Sequence, residues 1–557
     1  MKEEVKGLYL AVILSVGIIF ATNFLFPKKT PQVAEKATQI ENEVKTEKAH
    51  IEASQSQSSK TLSVAQALDT DSRVSFENEA VKGTIRLKGA RIDNLYLKKY
   101  KENLSPDSPD VELLFPAKTA DAYYADFGWT VADNSIQAPT SETVWNIKEG
   151  NVLTPKSPIV LEWNNGQGVV FTKTISLDDN YMFLIDQKVS NLSGKEITLY
   201  PYGLIHRDIG SALEKNSVVH SGAIGVINKV LKEVKYKDLE DMEKFKAKHG
   251  GWAGFTDRYW FSSFILDNDV KSEIKMFETA TSKYQVDFLG KALTIAPNET
   301  QSTNLKFFAG AKEIKLLDAY EKKYDIEKFD LAVDFGWYYF LTKPFFYILN
   351  FLYHIIGNMG WAIILFAACL RMVMFPVANK SYESMSKMKK VQPKMQELQQ
   401  KYKDDKVRLQ QETMNLYRRE KINPAAGCLP VLIQIPVFFS LYKVLNFSIE
   451  LRQAPFIGWI KDLSAPDPMT ISRILHFPIP SLINIGLWPI FMGITMYVQQ
   501  KLSPAPANKD QARMFAMMPI IFTFMLGHFA SGLVIYWTLS NILSILQQRY
   551  IMKKNGV

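Results

Sequence analysis

A single arginine breaks an otherwise uncharged apolar run: residues 361–377 read WAIILFAACLRMVMFPV, with Arg371 inside it. If this helix continues to Lys380, Arg371 lies nine residues from that end, about 13 Å at about 1.5 Å rise per residue. The side chain covers only about half that distance, so it would reach the interface incompletely. A cation at such a depth is paired, hydrated in a polar cavity, or very costly. Function is the default reading. The alternative is an arginine that snorkels from near a helix end.

The segments before it are distinct in kind. Residues 8–26 (LYLAVILSVGIIFATNFLF) are uncharged and long enough to cross a bilayer. No small-x-small cleavage site precedes Lys28 and Lys29, so 1–29 is expected to be an uncleaved anchor. Residues 30–73 are rich in Glu, Lys, Gln and Ser with scarcely an aromatic, the composition of a flexible linker. Over 74–312 the pattern has period two with turn punctuation, as in Thr84-Ile85-Arg86-Leu87-Lys88. That predicts a large β-sandwich. His206, His220 and His249 are scattered there, and no metal-ligand spacing, phosphate loop or nucleophile motif stands out. The chain reads as a non-enzyme with no cofactor. One charged insertion, 228–248, is predicted to be helical.

Residues 313–360 are expected to hold connecting and interfacial helices. The stretch 331–356 is crowded with Phe, Trp and Tyr, which suits a helix lying in the membrane interface, with a spanning helix as the alternative. After the second span, 361–377, comes a polar helical hairpin over 378–426, with Pro393 expected to kink its first arm. The region 427–557 holds four further apolar segments, 429–447, 483–499, 514–530 and 532–546, and a basic tail. The last two are short and predicted to form a tight hairpin that stops short of full bilayer depth. The total is six spans.

Charge placement orients them. Mean hydropathy is −0.08, but it averages a polar first half with an apolar last third. Net charge is +9, and the hairpin alone carries twelve Lys/Arg against six acids. By the positive-inside rule the hairpin, the 501–513 loop and the carboxyl tail are cytoplasmic, and span parity then places the β domain outside and the amino terminus inside. Lys387, Lys389, Lys390, Arg418 and Arg419 are candidates for docking ribosomal RNA or an acidic targeting factor; a solvated helix pair is the competing reading. The two cysteines, Cys369 and Cys428, lie within or beside apolar spans, so the exported region needs no disulfide.

Polar side chains recur inside the spans: Gln434 in the third, and Tyr536, Trp537, Ser540 and Asn541 in the sixth. With Arg371 they are expected to line one polar concavity. Taken singly, Gln434 is equally well interhelical glue, and Tyr536 with Trp537 equally well packing.

The blocks LRMVMFPV, MKKVQPKMQEL, KINPAAGCLPVLIQIPVFFSLYKVL, ELRQAPFIGWIKDLSAPDP and SGLVIYWTLSNILSILQQ resemble the YidC/Oxa/Alb membrane protein insertase family from about residue 330 to the end. GGWAGFTDRYW at 250–260 and the anchor-plus-β layout resemble its Gram-negative form. The resemblance implies a polytopic α-helical membrane protein with a five-helix insertase core and a large periplasmic all-β supersandwich domain. It implies that Arg371, Gln434 and Trp537 line a hydrophilic groove open to cytoplasm and lipid but closed to the periplasm; with Tyr536 and Asn541 these form the expected substrate groove. Some members carry Thr where Ala367 stands here. The implied partners are nascent membrane proteins, the bilayer, the Sec translocon and the ribosome, with no small-molecule substrate, nucleotide or metal. Two readings of other classes stand beside it, a secondary transporter and an envelope sugar-binding protein.

Overall fold

The computed structural model describes residues 61–132, 136–209, 220–280, 282–403, 405–420, 422, 429–503 and 509–556. The expected anchor, most of the linker, Cys428 and the 504–508 part of the basic loop lie outside the described residues.

After a short helix α1 (Val64–Leu68), capped by Ser63, the described residues hold twenty strands between Arg73 and Ala311. They form an eleven-stranded and a nine-stranded sheet. The predicted alternation is the reason they pack: in Val169–Leu177 every second residue is buried, and Ile185, Gln187 and Val189 point inward from Met182–Asn191. The two sheets meet through aromatic contacts, Phe127 with Phe307 at 5.4 Å, Phe264 with Phe288 at 4.9 Å, and Phe76 edge-on to Phe183 at 5.2 Å. Inside this layer Lys173 donates to the Phe127 carbonyl (2.6 Å), and burial pushes its ammonium down to about 8.

The insertion at 228–248 is not a helix. Val230–Lys235 and Glu243–Ala247 are strands at the ends of the nine-stranded and eleven-stranded sheets respectively. Their Lys and Glu residues imitate a solvated helix in the sequence, yet charged side chains are also what a sheet edge needs to resist pairing with another chain.

One buried ion pair makes a stability test. Arg91 donates through Nε (3.0 Å) and Nη2 (2.6 Å) to Asp126, and its guanidinium lies 4.0 Å from the Tyr124 ring centroid. Both partners are at most 3% exposed. Arg91→Met leaves the carboxylate without its partner and is expected to cost about 3–5 kcal/mol. Urea titration followed by tryptophan emission should show the loss, and Arg91→Met combined with Asp126→Leu should recover most of it.

Helix α2 (Ile314–Tyr324) leads out of the sandwich, burying Ile314, Leu317 and Tyr320 against it. Helix α3 (Tyr339–Ile356) follows, contains Pro344 and ends at Gly357 in the left-handed region (φ 74°). Lys343 pins α3 to the preceding segment through Asp318 (2.9 Å) and Asp330 (2.6 Å). Exposed Phe340, Phe351 and Ile355 leave α3 an apolar outer face.

Helix α4 (Met359–Lys390) runs without a break through Pro376 and past the expected span end at 377. It is the one helix among the described residues long and apolar enough to cross a membrane; residues 432–447 and 512–526 are shorter apolar helices. The hairpin is α5 (Gln392–Lys401) against α6 (Lys406–Arg419), tied by Lys394–Glu420 at 2.7 Å. The first arm is broken at Val391, between α4 and α5, and Pro393 stands in the first turn of α5, where its missing N–H is harmless. Helices α7 (Leu429–Phe447), α8 (Ile471–Leu475), α9 (Leu487–Leu502), α10 (Lys509–Leu526) and α11 (Ser531–Lys554) complete the chain. The expected hairpin of 514–530 and 532–546 differs in two ways. Helix α11 continues for eight residues past Leu546, and α10 packs chiefly on α9. Pro519 leaves the Phe515 carbonyl without its helical donor, and Gln500 Nε2 of α9 supplies one.

The sandwich and the helices are joined by side chains bonded to backbone. Arg258 Nε donates to the Asn446 carbonyl (2.7 Å), and Arg452 Nη2 to that of Lys101 (2.7 Å).

Candidate functional site

Helix α11 places polar residues at Tyr536, Ser540, Ser544, Gln547 and Gln548, spacings of three and four that put them on one face. That face meets α4. Arg371 Nη2 donates to the Ser540 carbonyl (2.9 Å) and to the Ser544 hydroxyl. Gln547 Nε2 donates to Asn379 Oδ1 (2.8 Å) and the Phe375 carbonyl (3.3 Å). The arginine therefore does not snorkel along α4. It turns sideways onto the neighbouring helix, and α4 continues nineteen residues beyond it.

The Tyr536 hydroxyl, on the same face one turn before Ser540, accepts from Gln434 Nε2 of α7 at 3.1 Å. Gln434, Tyr536, Ser540, Ser544 and Arg371 thus link three helices through side-chain polar groups. Trp537 and Asn541 lie about 100° further round α11, the first still against α7 and the second against α9. Trp537 packs edge-on against Phe438 (4.6 Å) and near Phe522 (6.3 Å), and Asn541 Nδ2 donates to Thr495 Oγ1 of α9 (3.1 Å). Of the five residues expected to share a concavity, Arg371, Gln434 and Tyr536 belong to the polar seam, and Trp537 and Asn541 are packed beside it.

The electrostatics of the seam are one-sided. Among the described residues no carboxylate lies within ion-pair distance of Arg371, its Nε is buried without a partner, and Nη1 donates to none of them. Carbonyl and hydroxyl oxygens solvate part of the guanidinium, and no carboxylate among the described residues offsets its charge. Such a group holds an anion or water more readily than hydrocarbon. No group of three His, Cys, Asp or Glu among the described residues is placed to hold a metal.

Ser544, Gln547 and Thr495 were not among the expected site residues. The first two were legible as a polar stripe continuing from Tyr536 through Ser540. Thr495 had no signal beyond being one hydroxyl in an apolar helix.

The basic residues of the hairpin converge as well. Lys387, Lys389 and Lys390 form the last turn of α4, and Arg418 and Arg419 the last turn of α6. Because α6 runs back along α5, these two ends lie at the same end of the hairpin, as the Lys394–Glu420 pair shows. Cations at helix C-termini are also favoured by the helix dipole, so their position has a local explanation.

The sequence was compared with known proteins. Residues 73–348 match the model of the YidC periplasmic domain, and residues 351–556 that of the 60Kd inner membrane protein family. A membrane protein insertase YidC of Rickettsia bellii is 45% identical, over 99% of this chain and 100% of that protein. One of Rickettsia massiliae is 46% identical over the full length of both. Among solved structures, one titled as an active YidC insertase with the first transmembrane domain resolved covers 84% of this chain and 90% of its own, at 16% identity and TM-score 0.37.

Proposed function

The chain belongs to the YidC family of membrane protein insertases, and on that premise we propose that it passes hydrophobic segments of nascent membrane proteins from a polar, cytoplasm-facing groove into the bilayer, alone or with the Sec translocon. The observation that carries this reading is Arg371, a cation inside an apolar helix with no acidic partner among the described residues and a solvating seam on α11. A nascent polar flank crossing the membrane meets water and a positive charge there instead of hydrocarbon. The segment's own apolar residues supply the remaining drive, at roughly −0.3 to −0.6 kcal/mol per Leu, Ile, Phe or Val near the helix centre. Neither step consumes a nucleotide.

In this reading six spans cross the inner membrane: residues 8–26, then α4, α7, α9, α10 and α11. The sixteen residues of α9 and eighteen of α10 reach about 24 and 27 Å at 1.5 Å per residue. Both fall short of the roughly 30 Å hydrocarbon core, which implies local thinning beside the groove. Both termini and the hairpin are cytoplasmic, and the β domain is periplasmic. Arg371, Gln434, Tyr536, Ser540 and Ser544 line the groove, with Trp537 and Asn541 behind them. The direct test is insertion of a small single-span substrate by the purified protein in liposomes, read by protease protection. Absence of insertion with the protein folded would overturn the reading.

The converged cations of the hairpin fit a dock for the ribosome or an acidic targeting factor. Replacing Lys387, Lys389, Lys390, Arg418 and Arg419 with Gln should weaken ribosome association by about ten-fold or more and flatten its salt dependence. Co-sedimentation across a salt series measures both. Unchanged binding would leave these residues as helix-end counter-charges only.

A further inference from the structure

The segment between α7 and α9 has a rigid base and an unburied apolar tip. Asp467, 4% exposed, accepts from Trp459 Nε1 (2.9 Å), the Met469 amide (2.9 Å) and the Trp488 amide at the start of α9 (2.8 Å). Thr470 and Gly486 form an antiparallel bridge, with Ile471 N bonded to the Ile485 carbonyl and Leu487 N to that of Met469, each at 3.1 Å. Within the loop Ser472 N is held by Asn484 Oδ1 (3.0 Å), and His476 is fixed in the left-handed region at φ 53°.

This scaffold displays Ile474, Leu475, Phe477 and Ile483 at 42%, 63%, 65% and 45% exposure. Exposed Arg473 and His476 stand among them, Arg473 makes no ion pair among the described residues, and 471–486 holds no acid. Four large apolar side chains on a loop with a hydrogen-bonded base need a cover. The bridge is one residue from the start of α9, and Phe477 is seven residues from Thr470, at most about 25 Å of extended chain. Apolar residues mixed with cations and no acids suit a phospholipid interface, where the carbons enter the acyl region and the cation meets phosphate.

We propose that residues 473–478 form a wedge inserted into the outer leaflet of the bilayer beside α9, an anchoring surface separate from the polar seam. It rests on the reading of α9 as a span. The test uses the full-length protein with Cys369 and Cys428 replaced, in phospholipid vesicles containing anionic lipid and lipids brominated on their acyl chains. An environment-sensitive dye is placed on single cysteines at Leu475 or Phe477. Leu104, exposed on the β domain, is the aqueous reference, and Phe491, exposed on α9, the membrane reference. For side chains about 5–10 Å into the headgroup–acyl boundary, bromine should remove about half of the emission at 475 and 477, and none at 104. If 475 and 477 behave like 104 while 491 is quenched, the wedge is refuted and the span stands. If 491 also escapes quenching, the span assignment falls and the wedge with it. Shielding at 475 and 477 in native membranes but not in pure lipid would assign the tip to a protein partner and overturn the proposal.

Discussion

Arg371→Ala is expected to lose nearly all insertion of substrates whose translocated flank carries Asp or Glu, whereas Arg371→Lys retains much of it. A groove that serves unrelated sequences cannot rely on one fixed hydrogen-bond geometry, so what Arg371 supplies is charge. Among the described residues Nη2 alone is tied to α11, and Nη1 donates to none. A lysine ammonium reaching the same carbonyl and hydroxyl would still present its charge to the seam. An acidic residue near a helix centre costs about 2.5–3.5 kcal/mol on insertion scales. At about 1.4 kcal/mol per factor of ten, full loss of that compensation slows the step by about a hundred-fold. Protease protection in liposomes, with paired substrates carrying acidic or neutral flanks, gives the comparison. The alanine variant should spare the neutral flank. Equal loss in both variants on both substrates, with the fold intact, would rule out a charge role.

The sandwich was legible because alternation is a local signal, and each buried position in a strand such as Val169–Leu177 repeats it. The edge strands at 230–235 and 243–247 were not, since local composition cannot tell a charged sheet edge from a charged helix face. A similar ambiguity set the end of the last helix too early. Gln547 and Gln548 read as a boundary, yet they are 7% and 1% exposed, and Gln547 bonds across to α4. At the site, spacing of three and four identified a polar face on α11, and Arg371 was conspicuous by its depth alone. Which neighbour each residue meets was not legible. Tyr536 and Trp537 are adjacent in sequence, and both meet α7, the first at Gln434 and the second one turn on at Phe438, a pairing that only the placement of α7 against α11 decides.

Cysteines at 434 and 537, on a background with Cys369 and Cys428 replaced, should react with a membrane-impermeant thiol reagent added from the cytoplasmic face and resist it from the periplasmic face. The joint between α10 and α11, the periplasmic end of the bundle in the proposed topology, is closely packed. Ser531 donates through its amide (2.8 Å) and hydroxyl (2.6 Å) to the Ala465 carbonyl, and Gly532 N to that of Leu463 (3.0 Å). His528 Nε2 lies 2.9 Å from the Ser481 carbonyl. At Gly527 an added Cβ would come within 2.4 Å of Ile485 and 2.9 Å of the Thr523 carbonyl, so the joint between α10 and α11 has no room to spare against the loop that covers it. An aqueous path through that plug would have to break these contacts, and it would also dissipate the ion gradient that a membrane must hold. Position 434 belongs to the polar seam, and position 537 becomes accessible when the cysteine removes the indole between Phe438 and Phe522. The expected ratio of labelling rates between inverted and right-side-out vesicles is at least ten-fold, an access difference of about 1.4 kcal/mol. Comparable rates from both faces would mean a through-channel. The groove would then have to yield to a transporter, for which an unpaired intramembrane arginine is an equally natural anion site.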